Sequence, residues 1–242
     1  MSIKTFELIS TTENGVQLIS YVALPENAAD DNPVAGILVA PEWWGLVEHS
    51  KVMTERLAEA GYAAVAMDVY GEGKMTSDPE MATMWHDQVL ADQEMLMARC
   101  RLILNDFSDQ LAVDGDNLAA IGFCFGGKVV LDMAREAMPV KAVATFHGDL
   151  SAKQPADQNF KAKVLIAHGR DDTIVTMEDI EAFKKEMDAA DVDYTVDVYD
   201  DAKHGFTNPK ADDRDNVNLA YDEIAAKQSW DNMLAFMKAN LG

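Results

Sequence analysis

Residues 118–127 read Leu-Ala-Ala-Ile-Gly-Phe-Cys-Phe-Gly-Gly. Four apolar residues predict a buried strand, and a helical pattern begins directly after Gly126. A nucleophile flanked by glycines two positions away, between a strand and a helix, is typical of a nucleophile elbow, here with Cys124 at its centre. The start of the following helix would favour a Cys124 thiolate, and the Phe125 N–H would be one oxyanion-hole donor. The alternative is an inert buried cysteine, because free Cys is among the most buried residue types.

Further apolar runs predict the fold around this stretch. Short, nearly continuous apolar segments are typical of strands covered on both faces, as in parallel sheets, and they occur at 34–40, 62–67, 118–121, 140–146 and 164–167. Helical spacing of apolar residues predicts helices over 50–59, 78–107, 126–136, 177–187 and 219–241. Strands over 4–10 and 16–24, joined by Glu13-Asn14-Gly15, predict an N-terminal antiparallel hairpin. We therefore expect an α/β fold with a mostly parallel central sheet, helices on both faces, and one domain over residues 1–242.

Charge excludes some classes of function. The 242 residues include 42 Asp and Glu but only 20 Lys and Arg, a net charge of −22. Nucleic acids and anionic membranes are disfavoured as partners, because both are bound by clustered cations. The two cysteines make no disulfide framework, and no signal-peptide pattern or long apolar run occurs, so we expect a cytoplasmic protein. We further expect no cofactor or metal, a small-molecule substrate, and a monomer or small homo-oligomer.

A base and an acid follow the elbow along the chain. In folds with this elbow the order is nucleophile, acid, histidine, each on a loop after a strand. His204 follows the predicted strand 194–199 and is the only histidine beyond the acid turn, so it is the candidate base. The turn after the strand at 164–167 carries two adjacent carboxylates, Asp171 and Asp172, and spacing alone leaves both open as the acid.

The loop at 40–45 carries two adjacent tryptophans. The loop after the third strand supplies the second oxyanion donor in such folds, which makes the Trp43 N–H the candidate. Exposing Trp43 and Trp44 would be costly, so each lines a pocket or packs in the core.

Four segments together resemble the dienelactone hydrolase family, over nearly the whole chain: Pro41-Glu42-Trp43-Trp44-Gly45, Gly122 to Gly127, Gly169 to Val175, and His204-Gly205-Phe206. The resemblance implies a single α/β-hydrolase domain with a triad of Cys124, His204 and Asp172. The family's G-x-x-D-x-x-V turn is what selects Asp172. The resemblance also implies that Glu42 helps to activate the thiol. The alternative for Glu42 is a surface or loop-capping charge.

The resemblance has a gap at the substrate carboxylate. Family members hold that carboxylate with arginines, one of them shortly after the catalytic histidine, where this chain has Asn208. Residues 71–98 contain one cation, Lys74, and no arginine. Asn cannot replace the bidentate fork of Arg, so we expect a neutral or weakly charged substrate. Aromatic and histidine side chains are expected to line its pocket: Trp44, Trp85, His147 and Phe206.

The leading hypothesis is a cysteine hydrolase of esters or lactones that works through a thioester. Alternatives are a carboxymethylenebutenolidase acting on an anionic lactone, and a non-catalytic thiol sensor with the same fold. A metal-dependent hydrolase is disfavoured. Its imaginable ligands, Glu42, His147, Asp149 and His168, lack any metal-binding spacing.

Overall fold

The computed structural model describes residues 2–214 and 216–242. The chain begins with the predicted antiparallel hairpin, in which β1 (Ile3–Thr11) pairs with β2 (Gln17–Pro25) along their full length. Gly15 lies in the connecting turn with a φ of +80°, a conformation that glycine adopts without strain. The hairpin prediction is confirmed.

Contacts within the chain group into two units, one ending at Ala119 and the other running from Ala120 to Gly242. The prediction of one domain over residues 1–242 stays a prediction. The first unit adds β3 (Val34–Ala40), α1 (Glu48–Glu59) and β4 (Ala63–Ala66) to the hairpin. Its strands lie in the order β1-β2-β4-β3, followed by the first half of β5 (Val113–Phe123). β3 and β4 are parallel, and β4 is antiparallel to β2.

The long helix predicted over 78–107 is two helices, α2 (Pro79–Ala91) and α3 (Gln93–Ser108). The break falls at Asp92, whose φ of −119° and ψ of 78° are not helical and whose carboxylate accepts a hydrogen bond from the Met95 N–H at 3.0 Å. The apolar spacing continues across this break, so the periodicity alone predicts one helix. Asp92 is the residue that indicates a new helix start, because Asp is favoured at the N-cap.

The second unit contains the rest of β5 and alternates helices with parallel strands. It comprises α4 (Phe125–Arg135), β6 (Ala142–Phe146), β7 (Lys163–Gly169), α5 (Met177–Ala189), β8 (Tyr194–Tyr199) and α6 (Glu223–Leu241). Its strands lie in the order β5-β6-β7-β8, with β6, β7 and β8 parallel. The strands alternate with helices and are mostly parallel, as predicted for an α/β fold. The carboxyl ends of parallel strands share one edge of a sheet, where ligands bind in folds of this kind.

Helix α6 begins at Glu223 rather than at the predicted residue 219. Asp222 caps it by accepting a hydrogen bond from the Ala225 N–H at 2.8 Å. The residues before the cap are held elsewhere, because the Ala220 N–H donates to the carbonyl of His204. No helix in the described ranges is long and apolar enough to cross a bilayer.

Candidate active site

Cys124 lies on a sharp turn between β5 and α4. Its φ is +53° and its ψ is −117°, a conformation that costs a non-glycine residue about 1–3 kcal/mol. A Cβ on Gly122 would lie 2.0 Å from the carbonyl oxygen of Gly126, so only glycine fits two positions before the cysteine. The Cys124 backbone N–H donates to the carbonyl oxygen of Phe146 at 3.1 Å, which holds the turn against the end of β6. The half-buried thiol therefore stands on a fixed backbone, at the start of a helix.

His204 and Asp172 form a buried pair at the ends of β8 and β7. The imidazole Nδ1 lies 2.8 Å from Asp172 Oδ2. The other carboxylate oxygen accepts the backbone N–H groups of Ile174 and Val175, both at 2.9 Å, which fixes the carboxylate orientation. Asp171 is exposed, so of the two adjacent carboxylates it is Asp172 that contacts the histidine.

Burial and neighbouring groups shift the pKa of His204 in opposite directions. Burial is the largest single cause and lowers this pKa, because it disfavours the charged imidazolium. The negative charge of Cys124 and the hydrogen bond to Asp172 outweigh it, and the pKa of His204 is raised to about 10. With Nδ1 bonded to Asp172, Nε2 is the nitrogen left for the thiol. The raised pKa means that the His204 ring is protonated at neutral pH.

Two further histidines lie in the second unit near this pair. His147 follows β6 and its Nε2 lies 2.9 Å from Thr207 Oγ1. His168 lies in β7, and burial is the main cause that lowers its pKa, so its ring is neutral. Each stands at the carboxyl end of a parallel strand, where the functional groups of such folds lie.

The predicted pocket residues fall into different environments. His147 and Phe206 are completely buried, and their role as pocket residues stays a prediction. Their rings pack against one another with centroids 5.4 Å apart.

The loop with Trp43 belongs to the first unit. Trp44 is buried with its ring centroid 4.6 Å from that of Trp43, and the Tyr70 hydroxyl donates to the Trp43 carbonyl at 2.9 Å. Gly45 has a φ of +78°, and a Cβ there would lie 2.1 Å from the Lys74 carbonyl oxygen. These contacts fix the loop backbone, as an oxyanion donor requires, and the role of the Trp43 N–H stays a prediction.

Glu42 is buried, which excludes the alternative of a surface charge. Its Oε2 lies 3.7 Å from Nδ1 of His49, a partner that the sequence did not suggest. A buried carboxylate is stable only with such partners. Its role in activating the thiol stays a prediction.

Trp85 lines a cavity of about 190 Å³ in the first unit, as do Tyr70, Lys74 and Arg99. Arg99 donates through Nη1 to the carbonyls of Val69 and Tyr70, at 2.8 and 2.9 Å. Arg99 lies in α3, one position beyond the segment 71–98, in which the sequence has no arginine.

Asn208, at the position of the expected arginine, is buried and serves its own turn. Its side-chain oxygen accepts the Lys210 backbone N–H at 3.0 Å, and the Asn208 backbone N–H donates to the Gly205 carbonyl at 2.9 Å. Residues 2–214 and 216–242 contain no group of three His, Cys, Asp or Glu side chains that could hold a metal.

Comparison with known proteins gives the family. The sequence model of the dienelactone hydrolase family matches residues 18–241. The chain belongs to the dienelactone hydrolase family. As a member, it is a hydrolase that acts on ester or lactone bonds.

The relatives agree with this assignment. A Salmonella typhimurium protein named "Putative carboxymethylenebutenolidase" is 29% identical, over 94% of this chain and 84% of that protein. A dienelactone hydrolase-like promiscuous phosphotriesterase from metagenomic libraries has a TM-score of 0.94 and 31% identity, with all of both chains covered. A dienelactone hydrolase from Anabaena variabilis shares the fold, with a TM-score of 0.71 and 16% identity over all of both chains.

Proposed function

We propose that Cys124, His204 and Asp172 form a catalytic triad that hydrolyses ester or lactone bonds in small, neutral or weakly charged substrates. The observation that carries the proposal is the 2.8 Å bond between His204 and a fixed, buried Asp172, in the same unit as a cysteine on a nucleophile elbow. A cysteine, a base and a carboxylate that orients the base are the parts that covalent acyl transfer needs.

In the first half of the reaction, the Cys124 thiolate attacks the carbonyl carbon, and the Phe125 N–H donates to the resulting oxyanion. From the sequence pattern, the Trp43 N–H is the second donor. The His204 imidazolium then gives its Nε2 proton to the leaving oxygen as the carbon–oxygen bond breaks. The products of this half are an alcohol, or the opened hydroxyl end of a lactone, and a thioester on Cys124.

In the second half, water attacks the thioester and His204 takes a proton from it. The carbon–sulfur bond breaks, which releases the carboxylic acid and restores the thiolate beside the imidazolium. Asp172 stays ionised throughout and holds the imidazole in the required tautomer. Glu42 is proposed, from the family resemblance, to assist formation of the thiolate.

The substrate proposal rests on Asn208. Its side-chain oxygen accepts the Lys210 N–H, and an amide cannot form the bidentate pair that an arginine forms with a carboxylate. A neutral ester or lactone needs no such pair.

An anionic lactone is the second candidate, which would make the protein a carboxymethylenebutenolidase. The Salmonella relative's name and the cations Lys74 and Arg99 at the first-unit cavity favour it. Neutral phosphotriesters are a further class to include in assays, because a relative that is 31% identical hydrolyses them. A cytoplasmic location, a small-molecule partner only, and a monomer or small homo-oligomer stay predictions.

The first test is hydrolysis of p-nitrophenyl acetate by the wild type and by Cys124→Ala. We expect kcat to fall about 1,000-fold or more, because removing a nucleophile leaves only residual catalysis. Cys100→Ala is the matched control, since Cys100 is a buried residue of α3 in the first unit, and its activity should stay within about twofold.

Unchanged turnover in Cys124→Ala would contradict the proposal. A wild type whose Cys124 is alkylated by iodoacetamide, but which hydrolyses no member of a panel of esters, lactones and phosphotriesters, would instead favour the thiol sensor.

A further inference from the structure

His147 adopts an unusual backbone conformation at the end of β6. Its φ is +41°, in the left-handed region that β-strand residues and most side chains avoid. The backbone is fixed on both sides, because the His147 N–H donates to Ala167 at 2.9 Å and a Cβ on Gly148 would lie 2.8 Å from Gly127 Cα. Strain that the surroundings hold in place is typical of functional positions.

The side chain of His147 is completely buried and contacts the segment that carries the base. Its Nε2 lies 2.9 Å from Thr207 Oγ1, three residues after His204. Its ring lies against the His204 ring at a centroid distance of 4.9 Å and an angle of 64° between planes. The strained residue thus touches the proposed base and also the loop that follows it.

We propose that His147 is a positioning residue that is held by Thr207 and that supports the His204 ring in its protonated form. The inference rests on the proposed function, in which His204 cycles between imidazole and imidazolium. An aromatic ring within about 6 Å of a cation attracts it through the ring electrons, and more strongly where water is excluded. The tilted geometry also stops the His204 ring from turning away from Asp172.

Other titratable groups that act on His204 come from the neighbouring elements α4 and β7. Cys124 lies at the start of α4 and Asp172 follows β7, and both favour the imidazolium. His168 of β7 is neutral and adds no opposing charge. A lysine or arginine in the place of His147 would oppose protonation of the base.

The test is the pH dependence of Cys124 alkylation by iodoacetamide, which reports the thiolate–imidazolium pair without requiring any substrate. Thr207→Val removes the hydrogen bond, His147→Leu removes the ring, and Thr207→Ser keeps the hydroxyl as the matched control. We expect Thr207→Val and His147→Leu to lower the high-pH midpoint of the rate, at which His204 loses its proton, by about half to one pH unit. Thr207→Ser should leave the midpoint unchanged, because Ser donates and accepts as Thr does.

A merely structural role would lower thermal stability without moving the midpoint. The inference is overturned if both Thr207→Val and His147→Leu show wild-type midpoints. If His147→Leu does not fold, the midpoint of Thr207→Val decides. His204→Gln separates this failure from that of the proposed function. If His204→Gln leaves the alkylation profile unchanged, the triad proposal fails. If His204→Gln alters the profile and the other variants do not, only the role of His147 fails.

Discussion

At residue scale, the elbow depends on the absence of one side chain. The carbonyl of Gly126 occupies the space that a Cβ at position 122 would need, at only 2.0 Å. That contact is with backbone, and backbone cannot swing aside as the end of a long side chain can. The turn that presents Cys124 is therefore set by Gly122 as much as by the strain at Cys124 itself.

We expect Gly122→Ala to lower the free energy of unfolding by about 1–3 kcal/mol, the usual cost of overpacking. Ester hydrolysis should fall by at least ~100-fold, because a displacement near 1 Å at the nucleophile is sufficient for that. Denaturant unfolding and kcat/KM for p-nitrophenyl acetate measure the two effects.

Gly15→Asn is the control for Gly122→Ala. A Cβ at Gly15 meets nothing within 4 Å, and Asn tolerates the left-handed conformation that this turn requires. Activity should be unchanged. Wild-type kcat/KM in Gly122→Ala would show that the elbow can relax and that the steric argument is wrong.

Single residues also show how far sequence reasoning reaches. Cys124 and His204 could be chosen because their order along the chain and their place after strands are local features. Asp172 was selected over Asp171 only by the resemblance to the family's turn. The left-handed backbone of His147 at a strand end was not predicted, because no pattern of residue types encodes it. The pairing of His49 with Glu42 was not predicted, because it depends on how the two side chains pack and leaves no pattern in the sequence.

At the scale of elements, α4 is anchored by a buried network of charges behind the elbow. Arg135 forms a bidentate pair with Glu186 of α5, with both bonds at 2.9 Å, and a further bond with Asp132 at 2.9 Å. Lys128 joins the network through Asp132 and through the Ser151 carbonyl. One cluster therefore ties the helix that carries the elbow to α5 and to the loop after β6.

We expect Arg135→Ala to lower the free energy of unfolding by about 3–5 kcal/mol, because it leaves the largely buried Glu186 carboxylate without its cation, while Asp132 keeps only Lys128. The midpoint of thermal unfolding should fall by about 6 °C or more in a domain of this size. Differential scanning calorimetry and urea unfolding give both values.

Lys163→Ala is the contrasting variant for Arg135→Ala. Its salt bridge with Asp193 is exposed, with 52% and 69% of the two side chains accessible. Exposed pairs contribute about 0–1 kcal/mol, so this variant should be close to the wild type. Equal losses in the two variants would show that burial does not control the strength of these pairs.

Element types were more predictable than element ends. Buried strands such as β3 and β6 have continuous apolar sequences, and such sequences indicate a strand covered on both faces. The ends of α2, α3 and α6 are set by Asp92 and Asp222, single caps whose effect depends on where the neighbouring backbone is held. For the same reason the start of α6 shifted by four residues from its predicted position.

At the scale of the whole molecule, the net charge of −22 is a property that no single element carries. Such a field repels anions as they approach, and its reach falls with salt, since the Debye length is about 10 Å at 0.1 M. Against it stand the local cations Lys74 and Arg99 at the first-unit cavity. The neutral-substrate proposal requires that the overall field outweighs these cations, and the anionic-lactone alternative requires the reverse.

Two esters with the same leaving group separate these cases: neutral p-nitrophenyl acetate and the anionic mono-p-nitrophenyl ester of succinic acid. We expect kcat/KM for the neutral ester to stay within about twofold between 10 and 300 mM NaCl, because no net charge is screened. For the anionic ester it should be lower at 10 mM and rise several-fold with salt, as screening removes the repulsion. An anionic ester that reacts faster at low salt and slows as salt is added would mean that local cations control the encounter. Arg99→Gln would then abolish that preference, and the anionic lactone would become the better substrate assignment.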